Sequence, residues 1–132
     1  MHTTKLLENL GVIVVRYDGR VDYSEIRHVF DELVQLPGFR SGLGLVADCR
    51  TCETPITGAE VRRLADYAEQ TDDAWGNSKW IILASSDVIF GLARMYAALT
   101  STYKVTTHVF RDAKEADDWL GIGVTLSQVL ET

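Results

Sequence analysis

The sequence predicts a single α/β domain with a mixed, mostly parallel β-sheet covered by helices. Short runs of β-branched and other apolar residues recur along the 132 residues, as in GVIVVRY at 11–17. Such nearly continuous apolar runs suit strands that are buried on both faces. Amphipathic segments that begin at helix-capping residues separate these runs, and this alternation is typical of a parallel sheet. No linker-like stretch divides the chain, so we expect one domain over residues 1–132.

Four core strands and one weaker strand are expected in this order. The core strands are 11–17, 43–49, 80–85 and 105–110, and the weaker strand is at 6–8. The spacing between the core strands leaves room for one helix in each interval, as βαβ units require.

Capping residues mark where the helices between these strands begin. Asp22, Thr57 and Asp112 are each followed three residues later by glutamate, which is the pattern of a capping box. Pro37 and Gly38 end the first helix. A long apolar helix is expected over 87–103, and the tail at 121–132 is apolar but poorly patterned.

Composition and charge narrow the classes of function. Acidic residues number 19 and basic residues 13, giving a net charge of −6. A field of this sign repels nucleic acid phosphates and anionic lipids, so nucleic acid binding is not expected. The N-terminal stretch lacks the pattern of a secretory signal, and no apolar run approaches the ~20 residues of a membrane-spanning helix. We therefore expect a cytoplasmic protein without a membrane span.

The only two cysteines, Cys49 and Cys52, lie three residues apart. A redox pair gains reactivity at a helix N-terminus, but the next helix begins several residues later, near Thr57. A structural zinc site usually needs four ligands, and no second pair is present. We interpret Cys49 as a small apolar residue that ends a strand and Cys52 as a loop residue. No metal or cofactor is expected.

Two polar features remain as candidate sites. Asp48 and Arg50 flank Cys49 at the carboxyl end of the second core strand, the edge of the sheet where ligands bind in open α/β folds. They could hold a ligand, although a local ion pair also explains them. Thr57 could be phosphorylated at its helix N-terminus, although a capping hydroxyl is a sufficient explanation.

The 87–103 helix has more apolar surface than one sheet contact requires. One stripe contains Ile89, Leu92, Ala93, Tyr96 and Leu99, and it should cover the sheet. A second stripe contains Val88, Gly91, Met95, Ala98 and Thr102 at heptad-like spacing. The second stripe could contact another helix of the same chain, a second subunit or an apolar ligand.

Two segments, KWIILASSDVIFGLARMYAAL at 79–99 and HVFRDAKEADDWL at 108–120, carry a family resemblance. Over nearly its whole length the chain resembles the SpoIIAA-like bacterial proteins of the STAS / CRAL-TRIO superfamily. The resemblance implies a mixed sheet and a regulatory or binding module rather than an enzyme. Relatives act as anti-anti-sigma factors, as domains of anion transporters or as lipid carriers. The regulators are phosphorylated in a D-S-S-G sequence; the comparable stretch here is PITG, in which only Thr57 and Gly58 correspond.

Three functional hypotheses follow. The first is a non-enzymatic interaction module, acting as a homodimer through Val88, Gly91, Met95, Tyr96 and Ala98 or through the tail. The second is a binding protein for a small apolar ligand or lipid, with Met95, Tyr96 and Trp80 in its lining. The third and weakest is a hydrolase that uses Ser85 or Ser86 with His108, because no motif places these groups together.

Overall fold

The computed structural model describes residues 1–122 and 125–130, so parts of the predicted tail and of the predicted 1–132 domain lie outside it. The elements are β1 (His2–Leu7), a 3-10 turn (Glu8–Leu10), β2 (Val12–Arg20), α1 (Tyr23–Val34), β3 (Gly44–Glu53), α2 (Gly58–Trp75), β4 (Lys79–Leu83), α3 (Asp87–Leu99), β5 (Thr106–Phe110), α4 (Ala113–Leu120) and α5 (Leu126–Leu130).

The five strands form one sheet in sequence order, β1-β2-β3-β4-β5. β1 pairs antiparallel with β2, whereas β2, β3, β4 and β5 pair in parallel. This mixed, mostly parallel sheet with helices confirms the predicted fold class.

Each face of the sheet has its own helical cover. Side chains from α1, α2 and α3 pack on the face that presents Ile13, Val15, Leu45 and Trp80, which we call the α1–α3 face. Side chains from α4 and α5 pack on the opposite face with Val12, Val46, Ile81 and Leu83, which we call the α4–α5 face. The predicted C-terminal tail therefore contributes to the core, through the buried side chains of Leu126, Val129 and Leu130.

The helices begin at the predicted capping residues. The Asp22 carboxylate accepts a hydrogen bond from the Glu25 amide at 2.9 Å. Thr57 and Glu60 form a complete capping box. The Asp112 carboxylate accepts from the Glu115 amide at 2.9 Å. Each cap satisfies an amide that has no partner within its own helix.

The long helix is shorter than predicted. α3 ends at Leu99 rather than at residue 103, with Thr100 as its C-cap. The next turns tighten, since the amides of Ser101 and Tyr103 donate to carbonyls three residues back. The chain then turns toward β5, and the Asp72 carboxylate accepts hydrogen bonds from the amides of Lys104 and Val105 at 2.9 and 3.1 Å.

The first strand is longer than predicted, since β1 spans His2–Leu7 rather than residues 6–8. Its side chains toward α1 include His2 and Thr4, which are polar, so the sequence shows no apolar alternation there. The His2 ring bonds Glu25 at 2.7 Å and Glu32 at 2.9 Å, and the Thr4 hydroxyl donates to Glu32 at 3.0 Å. We call these four side chains the β1–α1 clasp.

The β1–α1 clasp makes stability depend on pH. Burial lowers the pKa of His2, but hydrogen bonds to Glu25 and Glu32 outweigh it and raise the pKa above the usual 6.5. The hydrogen bond to His2 lowers the pKa of Glu25. Burial raises the pKa of Glu32, but its bonds to His2 and Thr4 lower it overall. His2 contributes fully to the free energy of unfolding below pH 6.5, and this contribution is lost as pH rises through its raised pKa. Glu25 and Glu32 contribute fully above pH 4.5, and their contribution is lost as pH falls through their lowered pKa values.

We expect His2→Gln to destabilise the protein most between pH 4.5 and 6.5, and progressively less above that window. Urea unfolding of both proteins at about pH 5.5 and about pH 8 measures the difference. His108→Gln is the control, because it removes an imidazole that is remote from the clasp. A His2→Gln effect that is equal at both pH values would contradict the charged clasp.

Candidate ligand cavity

An apolar cavity lies between the α1–α3 face of the sheet and the helices above it. Its volume is about 120 Å³, and side chains from all three helices and from β2, β3 and β4 line it. An engineered apolar cavity of ~150 Å³ in another protein stays dry and binds benzene, so this space has the size of a small ligand. None of the lining residues is Asp, Glu, Lys, Arg or His.

The cavity exists because the helical layer does not close over the middle of the sheet. Ala47 and Ile82 lie in central strands on the covered face, yet both are only half-buried. Phe30 makes edge-on ring contacts with Trp80 and Tyr96, with centroids 5.9 and 6.3 Å apart. Beside these large rings, the short side chain of Ala47 leaves part of the space under the helices unfilled.

Few polar atoms line the cavity, and its tyrosine hydroxyls are protonated at neutral pH. Burial raises the pKa of the Tyr17 hydroxyl well above its usual value, and burial likewise raises that of Tyr96. The lining also contains the Trp80 indole and the Thr54 hydroxyl. An uncharged lining favours a neutral ligand, because burying an unpaired charge is strongly unfavourable.

Both cysteines contact this cavity, and a β-bulge is the reason. Arg16 pairs with Asp48 and Asp18 pairs with Thr51, so one residue of β2 is opposite two residues of β3. The extra residue reverses the alternation of faces. Cys49 and Cys52, three apart in sequence, therefore both face the cavity. Both lie within β3, so Cys49 does not end the strand and Cys52 is not in a loop, which corrects the interpretation from sequence.

The two thiols are in contact and have different acidities. A hydrogen bond to Cys52, together with burial, raises the pKa of Cys49 well above its usual value. The same bond lowers the pKa of Cys52, against the effect of its own partial burial. The protonated Cys52 thiol points to the Cys49 carbonyl at 3.6 Å.

The two polar features predicted from the sequence lie on opposite sides of the sheet. Asp48 is 3% exposed on the α4–α5 face, where it accepts from Arg50 Nε at 2.9 Å and Nη2 at 3.0 Å. Arg16 Nε lies 3.5 Å from the same carboxylate. Burial raises the pKa of Asp48, but its bonds to Arg50 outweigh this and lower it. Thr57 instead caps α2 above the other face, and its exposed hydroxyl accepts from the Glu60 amide at 3.2 Å.

The five residues of α3 that were predicted to form a ligand or interface site do not share one environment in the structure. Val88 is 68% exposed, Ala98 is exposed, and a side chain at Gly91 would meet no atom within 4 Å. Met95 is half-buried, and its methyl carbon lies 3.6 Å from the position that a Cβ on Gly58 would take. Tyr96 is buried and lines the cavity together with Trp80. Met95 is not part of that lining.

The residues of the hydrolase hypothesis do not form a catalytic arrangement. Ser86 caps α3 by accepting from the Ile89 amide at 3.2 Å, and the Ser85 hydroxyl donates to the Arg50 carbonyl at 3.4 Å. The His108 ring stacks on Trp119 with centroids 4.2 Å apart. Across residues 1–122 and 125–130, no hydrogen bond joins His108 to either serine.

Within residues 1–122 and 125–130, no three His, Cys, Asp or Glu side chains lie close enough together to bind a metal ion. Within this part of the chain, every helix is too short or too polar to cross a bilayer.

Comparison with known proteins supports the fold. No family model matches the chain, and no curated protein matches it. The chain is similar to the crystal structure of an uncharacterized DUF3478-family protein with a SpoIIAA-like fold from Shewanella loihica. The TM-score is 0.56 with 10% identity, over 91% of this chain and 92% of the other. The likeness confirms the predicted SpoIIAA-like fold, while the STAS / CRAL-TRIO superfamily and the bacterial origin stay predictions.

We expect Cys52 to be alkylated several-fold faster than Cys49, because its thiolate is stabilised and its side chain is less buried. Mass spectrometry after brief treatment with iodoacetamide near pH 8 measures both rates. Cys49→Ala should slow the reaction at Cys52 because it removes the hydrogen-bond donor, whereas Cys49→Ser keeps a donor and serves as the matched control. Equal labelling of the two thiols would contradict the assignment.

Proposed function

We propose that this chain is a non-enzymatic binding module that holds a small, neutral, apolar ligand between its sheet and helices α1, α2 and α3. The observation that carries the proposal is the apolar cavity of about 120 Å³ above Ala47 and Ile82. An apolar concave space with few polar atoms is typical of a ligand site.

The size of the cavity limits the ligand class. A volume of about 120 Å³ accommodates a ring or a short aliphatic group. A lipid with a long acyl chain needs several times this volume, so of the two predicted ligand types the small apolar molecule fits better.

The side chains near the cavity also support a role without catalysis. Its lining has no carboxylate, imidazole or ammonium group to serve as a general acid or base. Asp48 and His108 lie on the opposite face of the sheet, where an arginine pair and a tryptophan ring engage them. A regulatory role and a cytoplasmic location stay predictions that this proposal does not require.

Ala47→Leu should fill the cavity, so we expect a variant that is as stable as the wild type or more so but that no longer binds benzene. Filling a cavity commonly adds ~0.5–2 kcal/mol to the free energy of unfolding. Benzene vapour should raise the melting temperature of the wild type but not that of Ala47→Leu.

The matched control is Ala74→Leu, which adds the same side chain at an exposed position near the end of α2. It should respond to benzene as the wild type does. A wild-type melting temperature that does not change with benzene or with other ring compounds of similar size would remove the proposal.

A second candidate function is self-association through the outer surface of α3. Val88 is 68% exposed and Leu99 is 40% exposed, and they are two of the three large hydrophobic side chains found exposed among the described residues. The exposed Gly91 and Ala98 lie on the same helix. Small residues between larger apolar ones allow the backbone of a second α3 to approach closely, which supports a symmetric dimer.

Val88→Glu should shift the protein toward monomer without unfolding the domain, because Val88 contributes little to the monomer core. Sedimentation velocity across micromolar concentrations measures the change. Gln70→Glu, at an exposed position of α2, is the control for added charge. A wild type that is monomeric throughout this range would exclude the homodimer.

A further inference from the structure

We propose that Cys52 is a covalent capture site, at which the thiol adds to a small neutral enone or enal that is bound in the cavity. The inference rests on the proposed binding function and deepens it, because it gives the apolar ligand a reactive group. That group is a carbon–carbon double bond conjugated to a carbonyl.

The two thiols are the strong nucleophiles of the cavity. Both cysteines line it, and none of the described lining residues is a lysine or a histidine. Each cysteine is half-buried, so part of each residue stays accessible to a water-sized molecule. Both side chains pack on the α1–α3 face of the sheet, which is the side on which the cavity lies. A ligand in this space therefore meets sulfur as its most reactive neighbour.

The β-bulge in β3 brings the second thiol to this face. In a regular strand, residues three apart point to opposite faces, so Cys52 would lie on the α4–α5 face. The shift in register between the pairs Arg16–Asp48 and Asp18–Thr51 reverses that orientation. Bulges that re-aim a side chain in this way are frequent beside functional sites. Here the bulge adds a nucleophile to a lining that is otherwise apolar.

The thiols lie within reach of a ligand that covers Ala47. Cys49 follows Ala47 by two residues on the same face of β3, which is roughly 7 Å at ~3.3 Å per residue. The Cys52 sulfur is next to Cys49, 3.6 Å from its carbonyl oxygen. A small ring above Ala47 can therefore present its edge to the thiols.

Enones and enals match the lining as well as the thiol. They are neutral, so they enter without the counter-charge that this lining lacks. The Cys52 thiol first loses its proton to water, and its sulfur forms a bond to the β carbon as the carbon–carbon π bond breaks. The electron pair moves to the carbonyl oxygen as an enolate, whose α carbon then takes a proton from water. The net reaction adds S–H across the double bond and needs no oxidant, reductant or leaving group.

The contact between the thiols favours Cys52 as the nucleophile. Their hydrogen bond lowers the pKa of Cys52, whereas the same bond and burial raise the pKa of Cys49. The thiolate is the reactive form of cysteine. Cys52 should therefore carry the adduct while Cys49 stays protonated beside it.

The test uses 2-cyclopentenone on the full chain after its thiols have been reduced and the reductant removed. Mass spectrometry of the intact protein and of its peptides should find one adduct per chain, at Cys52. Its rate should level off at high enone concentration, because the ligand binds before it reacts. Cyclopentanone, which lacks the conjugated double bond, is the control and should give no adduct.

Competition and variants show whether the cavity directs the reaction. Cyclopentane has a similar shape and no reactive group, so it should slow adduct formation in the wild type several-fold by occupying the space. Ala47→Leu should slow it similarly, whereas Ala74→Leu should react as the wild type does. Cys52→Ser should remove the adduct.

The outcomes separate the capture site from the binding function. An adduct on another residue, or one that forms at Cys52 equally fast with and without cyclopentane, would overturn the capture site. If benzene still raises the melting temperature in that case, the proposed function stands. A protein that responds neither to benzene in its melting temperature nor to cyclopentane in its reaction rate would exclude both.

Discussion

The strand order constrains everything else in this fold. Strands β2, β3, β4 and β5 lie side by side in sequence order, and crossovers between parallel strands are right-handed. Helices α1, α2 and α3 must therefore lie on one face of the sheet, and only the chain after β5 is left to cover the other. Arg16 strengthens that cover by donating to the Leu130 carbonyl at 2.5 Å. The strand order also lacks the reversal at which open α/β sheets usually form a ligand crevice, so the cavity here lies under the helices instead of at the edge of the sheet.

The cavity follows from side-chain sizes under this layer of three helices. Phe30 of α1 makes edge-on ring contacts with Trp80 of the sheet and with Tyr96 of α3. Ala47 lies on the adjacent strand, where its short side chain fills less of the space under the helices. Packing in proteins tolerates few voids, because each lining atom loses dispersion contacts. The half-buried side chains of Ala47 and Ile82 mark the part of the sheet that the helices leave uncovered.

Local signals predicted the fold well, and long-range geometry limited the prediction of the site. The capping residues Asp22, Thr57 and Asp112 act through bonds to amides three residues away, so the sequence reveals them directly. β1 was underestimated because its inward residues His2 and Thr4 pair with glutamates of α1, a contact between distant segments. The common orientation of Cys49 and Cys52 depends on a bulge opposite Tyr17, which no residue type announces. The stripes of α3 indicated that Tyr96 faces the sheet. The cavity above Ala47, however, depends on the relative volumes of side chains from three helices and three strands. Hydrophobic periodicity carries no information about those volumes.

The apolar lining determines which property of a ligand this space can select. A ligand that entered it would remove its own apolar surface from water, which contributes about 25 cal/mol per Å² of that surface. The lining has no Asp, Glu, Lys, Arg or His to offset the desolvation of a charged group. The volume of about 120 Å³ and the apolar lining therefore act together, because the first limits the size of a ligand and the second excludes a charge on it.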